Sequence, residues 1–150
     1  MSTVLDNPGI LSDQKAGKII RRYMLWAAGA GLVPVPWVDM AALASVQVKM
    51  LHALAQNYKV PFSESGAKTA IGALVGSVLP GQAASGFLGG LIKMIPLVGF
   101  VIVPAFASTS TYALGKVFEQ HFASGGTFLT FQPEAVRKYY SANLASAPAA

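Results

Sequence analysis

Two adjoining stretches without a charged residue dominate the fold of this chain: TAIGALVGSVLPGQAASGFLGGLI (residues 69–92) and MIPLVGFVIVPAFASTSTYALG (residues 94–115). A helix needs about 20 residues to cross the hydrocarbon core of a bilayer, so each stretch is long enough. Pro80 interrupts the first stretch, and Pro96 and Pro104 interrupt the second. Proline-broken helices are tolerated in membranes where neighbouring helices satisfy the freed backbone groups. The pattern predicts an apolar helical hairpin over about residues 69–115.

The composition of the whole chain also favours contact with a membrane. Charged residues make up 11% of the 150 residues, whereas an average soluble domain contains about 25%. Apolar residues reach 53%, and the mean hydropathy is +0.51. The chain has no cysteine, which excludes disulfides, thiolate catalysis and cysteine-ligated metal sites.

A corner between two helices is predicted where the chain reads GAGLVPVPWVDMAAL (residues 29–43). Pro34 and Pro36 lack a backbone donor, and each disfavours the helical conformation of the residue before it. We therefore expect an extended elbow over 33–38. Asp39 follows the elbow and is expected to cap the next helix. Pro96 resembles these prolines in its surroundings, which hints at a second elbow.

The remaining boundaries predict an all-α fold built from helical hairpins. One helix is expected over 13–32 and another over 40–58, and Val60-Pro61-Phe62 should end the second of these. Ser63 should begin a further helix, the Ser124-Gly125-Gly126 sequence should end one, and Pro133 should open the last, to about residue 144. A short extended piece is expected over 127–131. The polar face of the helix over 40–58 is expected to carry Ser45, Lys49, His52, Gln56 and Lys59.

We expect three parts along the chain. Residues 1–12 form a flexible N-terminus, residues 13–144 a single helical domain, and residues 145–150 a disordered tail. The N-terminus has acids and a proline before any basic residue, which is unlike a signal peptide. Both termini are therefore expected on the cytoplasmic side of the cytoplasmic membrane.

Small residues recur four positions apart, at Gly72 and Gly76 and again at Gly86 and Gly90. This spacing lets helix backbones approach closely and is common where membrane helices pair. It predicts helix packing within a homo-oligomer, although glycines at this spacing also occur in tightly packed soluble bundles.

The chain carries a net charge of +5, and four cations lie directly before the first apolar run: Lys15, Lys18, Arg21 and Arg22. Cations that flank apolar segments favour anionic lipid headgroups as the partner. Nucleic acid is not expected, because no stripe of cations with aromatics between them is present.

The sequence contains no recognisable set of catalytic or cofactor-binding residues. The six acids are scattered singly, and His52 and His121 lack companions for a metal site. Ser108-Thr109-Ser110-Thr111 interrupts the second apolar stretch. These hydroxyls are predicted to bond to carbonyls one turn back, and the alternative is a ring of hydroxyls that lines a wet path or bridges helices in an oligomer.

Two segments resemble a known family: residues 19–64, with their Pro-x-Pro-x-x-Asp corner, and residues 108–140, with GKVFEQHF. They look like the YcjF-type family of unknown function, whose members stand alone or follow Era-like GTPase domains. The resemblance implies membrane association and no catalytic residues. It departs at Trp37, where the family is expected to have glycine, and Trp37 is therefore expected at a membrane interface or a subunit contact.

The function expected from these patterns is that of a non-enzymatic, membrane-embedded or membrane-associated protein that self-assembles. It would act as a scaffold or a membrane-remodelling component, with a GTPase as a possible partner on a separate chain. Two alternatives stay open at this point: a soluble helical carrier of a lipid or hydrophobic ligand, and an oligomeric pore or transporter.

Overall fold

The computed structural model describes residues 8–30, 36–77 and 96–148, which contain five helices and no strand. The all-α prediction is confirmed for this part of the chain. In chain order the helices are α1 (Pro8–Ala30), α2 (Pro36–Asn57), α3 (Glu64–Ser77), α4 (Pro96–Ala123) and α5 (Pro133–Ser146).

Helix α4 is the centre of the bundle, since it contacts each of the other four helices. Its side chains Leu114, Val117 and Phe118 are almost fully buried in one cluster with residues from every helix. Tyr140 of α5 is fully buried in the same cluster. Burial of this apolar surface is the main term that stabilises the bundle, at about 25 cal/mol for each Å² removed from water.

Three contacts show the directions of the long helices. At the end of α2, the Asn57 amide donates to the Ser12 carbonyl over 2.7 Å, and the Tyr58 hydroxyl donates to Asp13 over 2.7 Å. The start of α1 therefore lies beside the end of α2. The rings of Tyr58 and Phe122 are 6.4 Å apart between centroids, so α4 ends at this same place.

The bundle consequently has two different ends. The turn end holds the turns 58–63 and 124–132, together with the start of α1. The far end is where α1 and α3 stop and where α2 and α4 begin. The internal segments that the structure leaves undescribed, 31–35 and 78–95, are joined to helix ends that point to the far end.

Two tight connections at the turn end agree with the sequence. The Ser63 hydroxyl accepts a hydrogen bond from the Gly66 N–H over 3.1 Å, so Ser63 caps α3 as predicted. Helix α4 ends at Ala123, and Gly125 has a φ of +89°, a left-handed conformation that a residue with a Cβ rarely adopts. Pro133 is the first residue of α5, which confirms the predicted start of the last helix.

The extended piece expected over 127–131 is wrong. Residues 128–130 form a turn, in which the Thr130 N–H donates to the Thr127 carbonyl over 3.3 Å. The Thr130 hydroxyl accepts a hydrogen bond from the Thr127 N–H over 2.9 Å. Alternating Thr and Phe residues favour a strand locally, but these side-chain bonds favour a turn, and no neighbouring strand is present among the described residues to pair with.

Several predicted helix ends differ from the structure. Helix α1 begins at Pro8 rather than near residue 13, and α2 begins at Pro36, inside the expected elbow. Proline costs nothing at the first position of a helix, because that N–H has no partner there anyway. Asp39 consequently lies inside α2 rather than immediately before it. Pro34 lies outside the described residues.

The proline break expected within the second apolar stretch is also wrong. Pro96 begins α4, but Pro104 lies inside the helix, which continues to Ala123. A proline removes one backbone hydrogen bond from a helix interior. The packing of α4 against four neighbouring helices offsets this local cost, because tertiary burial supplies most of the stability of a helix in a protein.

Candidate functional site

Helix α1 has one buried face and one exposed face. Ala16, Ile20, Met24 and Ala27 recur every three or four residues and are all buried. The opposite side is in solvent and carries six large side chains, which we call the α1 outer face: Lys15, Lys18, Arg21, Arg22, Leu25 and Trp26. The helical period therefore collects cations and apolar groups on a surface that no other described part of the chain covers.

The four cations predicted to contact lipid headgroups all lie on the α1 outer face. None of them forms an ion pair with a carboxylate that the structure describes. By contrast, Lys68 bonds Glu64 over 2.8 Å, and Lys116 bonds Glu119 over 3.1 Å. Asp13, the nearby acid on α1, accepts a hydrogen bond from Tyr58, the residue that follows α2. Within the described residues, the outer face thus presents positive charge that no carboxylate neutralises.

In the two ion pairs elsewhere in the bundle, the charge of the lysine is neutralised by a nearby glutamate. The hydrogen bond and charge of Lys68 hold the pKa of Glu64 below its usual value. For Lys116, partial burial lowers the pKa, but the hydrogen bond and charge of Glu119 outweigh this and leave the pKa raised. Both pairs join residues about one turn apart in the same helix, and neither includes a residue of the α1 outer face.

Leu25 and Trp26 are the residues that sequence reasoning missed. Each is 62% exposed, directly beyond Arg22 in the direction of the far end. Their apolar character alone does not distinguish a core position from an exposed one, and the sequence-based predictions give neither residue a role. The spacing of Lys18, Arg22 and Leu25 at four and three residues was the signal that could have assigned Leu25 to the outer face.

The other residues singled out in the sequence are not brought together with this face. Trp37 lies in α2, and its side chain is outside the part that the structure describes. Gly72 lies on the exposed side of α3, and a Cβ added there would meet nothing within 4 Å. Gly76 lies in the last part of α3, whereas Gly86 and Gly90 lie outside the described residues. The predicted packing role of these glycines stays a prediction.

The hydroxyl-rich segment of α4 lies inside the bundle. Ser108, Ser110 and Thr111 are buried, and the last two donate to the Ala107 carbonyl over 3.2 Å and 2.7 Å. The predicted bonding to carbonyls one turn back is confirmed for Ser110 and Thr111, and for Thr109, which donates to the Phe106 carbonyl over 3.3 Å, but Ser108 Oγ has no partner among the described residues. A ring of these hydroxyls facing a wet path between copies does not fit their burial in a single chain. Gln47 of α2, which the sequence did not single out, contacts two of them.

The described histidines serve packing and local bonding. His52 is exposed and packs against Phe62 with 4.5 Å between ring centroids and 35° between the ring planes. The His121 Nε2 lies 2.8 Å from the Thr127 carbonyl oxygen. Within the described ranges there is no group of three His, Cys, Asp or Glu residues that could hold a metal ion. None of the helices, as far as they are described, is both long and apolar enough to cross a membrane.

The fold and this surface define a small all-α protein with an exposed basic and aromatic helix face. The chain belongs to the family described as a domain of unknown function (DUF697), which matches residues 10–141. It is 36% identical over 132 residues to Magnetosome membrane protein 22 of Magnetospirillum gryphiswaldense, a match that covers 85% of this chain and 68% of that relative. No solved structure matches the chain.

Proposed function

We propose that this protein is a non-enzymatic, membrane-associated helical protein that binds anionic lipid through the α1 outer face. The observation that carries the proposal is the row of four exposed cations, which form no ion pair with a described carboxylate, followed by exposed Leu25 and Trp26 on the same helix. The printed name of the relative, a magnetosome membrane protein, supports the same class.

The physical argument combines two terms. A lysine or arginine near an anionic membrane surface contributes about 1 kcal/mol to binding, so a group of four has a substantial effect. Trp and Leu beside such cations can bury their side chains at the boundary between headgroups and acyl chains. Cations alone also attract other polyanions, whereas cations with adjacent exposed apolar groups match the layered polarity of a bilayer.

We further propose that the protein self-assembles and acts as a scaffold or membrane-remodelling component. Gly72 supports this, because it leaves open space on the exposed side of α3 where a helix of another copy can approach closely. A GTPase partner and a place on the cytoplasmic membrane, with cytoplasmic termini, are part of the same proposal and rest on the resemblance to the YcjF-type family.

Vesicle flotation with the full chain tests the lipid-binding proposal. We expect the protein to float with vesicles that contain phosphatidylglycerol and to bind weakly to vesicles of phosphatidylcholine alone. The double variant Arg21→Glu with Arg22→Glu should lose most of the binding to anionic vesicles. A matched control is available in α5, where Arg137 and Lys138 are also adjacent and exposed; their double change to Glu should retain most of it.

The outcomes separate the possible explanations. Equal loss in both double variants would show that total charge, not the α1 outer face, drives binding. Absence of the wild-type protein from all vesicle fractions would contradict the proposal. Circular dichroism of each variant should keep the helical signal of the wild type, since all four substituted residues are exposed.

A further inference from the structure

The charged residues are unevenly distributed along the axis of the bundle. Ile20 of α1 lies against Gly115 of α4, and Gln47 of α2 contacts Thr111 of α4. Because α1 and α2 run in opposite directions, these contacts put Arg22 and Lys49 within about one helical turn, ~5 Å, of each other along the axis. Both side chains are exposed. We call this position the cation level.

Beyond the cation level, towards the far end, the helices are almost free of charge. No charged residue occurs in the corresponding parts of α1, α2, α3 and α4, which are residues 23–30, 40–48, 69–77 and 96–115. Asp39, the fourth residue of α2, is the exception among the described residues. The turn end, in contrast, carries Asp13, Lys15, Lys59 and Glu64 in solvent.

The exposed apolar side chains of α1 are also unevenly distributed along the bundle axis. Leu25 and Trp26 are 62% exposed on the far side of the cation level, whereas Leu11 at the turn end is 40% exposed and is followed by exposed Asp13, Gln14 and Lys15. A helix that lies flat on a membrane would bring Leu11 and Trp26 to the same depth. That orientation would also hold Asp13 against anionic headgroups and leave the nearly charge-free far end in water.

We propose that the bundle docks obliquely on anionic bilayers, with its far end in the lipid and its turn end in water. Arg22 and Lys49 then lie at the depth of the phosphate groups, and Leu25 and Trp26 enter the acyl region. The nine residues from Arg22 to Ala30 span about 12 Å of helix, close to the ~15 Å of hydrocarbon in one leaflet. This inference rests on the proposed function and adds the orientation of the docked molecule.

The depth of two leucines on the same helix tests the orientation. The chain has no cysteine, so Leu11→Cys and Leu25→Cys can each carry a single environment-sensitive fluorophore on an exposed site. With vesicles that contain phosphatidylglycerol, we expect the label at position 25 to brighten several-fold, shift to the blue and be quenched by brominated acyl chains. The label at position 11 should keep the emission that it has in water.

A second measurement avoids the label. Trp26 and Trp37 are the two tryptophans of the chain, so Trp37→Phe leaves Trp26 as the reporter. Its emission should move to the blue on vesicle binding and respond to the brominated lipid. The Leu11 site and the Trp26 site thus report on opposite ends of α1 in independent ways.

Each result has a distinct meaning. Equal immersion of positions 11 and 25 would overturn the oblique orientation in favour of a flat helix while leaving lipid binding intact. Bound protein with both positions in water would also overturn it. Protection of position 25 without vesicles, increasing with protein concentration, would assign this face to a second copy of the chain instead. If the unlabelled protein binds no vesicle, the proposed function itself fails.

Discussion

The side-chain amide of Gln47 in α2 donates to the hydroxyls of Ser110 and Thr111 in α4, over 3.3 Å and 3.2 Å, and all three residues are buried. Both hydroxyls also donate to the Ala107 carbonyl, so the amide meets them as a donor and all of these bonds are compatible. A buried polar contact of this kind favours one alignment of the two helices, since any slip leaves polar atoms without partners.

Gln47→Ala should therefore destabilise the protein by about 2 kcal/mol, because it removes buried hydrogen bonds and leaves a cavity. Gln47→Met keeps most of the side-chain volume and should cost less than half as much, since both hydroxyls keep their bonds to Ala107. Urea denaturation followed by circular dichroism measures both values. Wild-type stability in the alanine variant would show that the contact contributes nothing.

Two glycines in helices should respond oppositely to the same substitution. A Cβ at Gly115 would lie 2.7 Å from Cγ1 of Ile20, so Gly115→Ala forces α1 and α4 apart and should cost about 1–3 kcal/mol. A Cβ at Gly72 meets nothing within 4 Å, so Gly72→Ala should stabilise the helix by about 0.5–1 kcal/mol.

The Gly72 variant also examines self-assembly. If a helix of another copy packs on Gly72, Gly72→Ala should reduce the oligomer mass measured by light scattering while raising the stability of the single chain. An oligomer of unchanged mass would remove Gly72 from the interface. Equal destabilisation by Gly72→Ala and Gly115→Ala would contradict the packing described here.

Because of two tyrosines, we expect the free energy of unfolding to decrease at alkaline pH. Burial raises the pKa of Tyr140 above its ordinary value, and its hydroxyl oxygen is buried with no hydrogen-bond partner among the described residues. Burial and the hydrogen bond to Asp13 raise the pKa of Tyr58. A group whose pKa is raised by folding contributes its full stabilisation while the pH is below its unfolded pKa, which is about 10 for tyrosine. This contribution is lost as the pH rises from that value through the folded pKa.

Removing each hydroxyl separates the two cases. Tyr140→Phe should be neutral or stabilising at pH 7, because it removes an unsatisfied buried group, and its advantage over the wild type should grow above pH 10. Tyr58→Phe should cost about 1 kcal/mol at pH 7, since it breaks a partly exposed bond to a carboxylate. Urea midpoints at pH 7 and pH 11 provide the comparison, and a strongly destabilised Tyr140→Phe would mean that the hydroxyl has a partner.

Binding to anionic vesicles should weaken as salt is added. The screening length falls from about 10 Å at 0.1 M to about 3 Å at 1 M, which reduces the attraction of exposed cations for a charged surface. Lys18→Gln should lower the affinity about fivefold at low salt, corresponding to about 1 kcal/mol, and should have little effect at 1 M. Trp26→Ala should weaken binding at both salt concentrations, and titration of vesicles at each salt level tests the difference.

Much of the fold was predictable, because periodicity and caps are local signals. The polar face of α2 is one case, as Ser45, Lys49, His52 and Gln56 are all exposed, and so is Lys59 in the turn that follows. The Ser63 cap and the stop after Ala123 are others. Helix starts were less predictable, because Pro36 and Pro96 are compatible both with an elbow and with the first position of a helix.

Only half of the candidate site was predictable from the sequence, because the other half depends on tertiary packing. The four cations of α1 could be assigned to a lipid surface from their position before an apolar run. Whether Leu25 and Trp26 face the core or the solvent depends on where α4 lies, and the sequence of α1 does not determine this. In the same way, Gln47 differs from the exposed Gln56 only through the helix that happens to cover it.

The central position of α4 has a consequence for the order in which the chain folds during translation. The bonds from α2 to Ser12 and Asp13 span 45 residues, so the hairpin of α1 and α2 can close early. Ile20 and Gln47, however, find their partners on α4, which leaves the ribosome much later. The nascent hairpin must therefore wait with its apolar side uncovered, and it is then that we expect the protein to be most prone to aggregate or to need a chaperone.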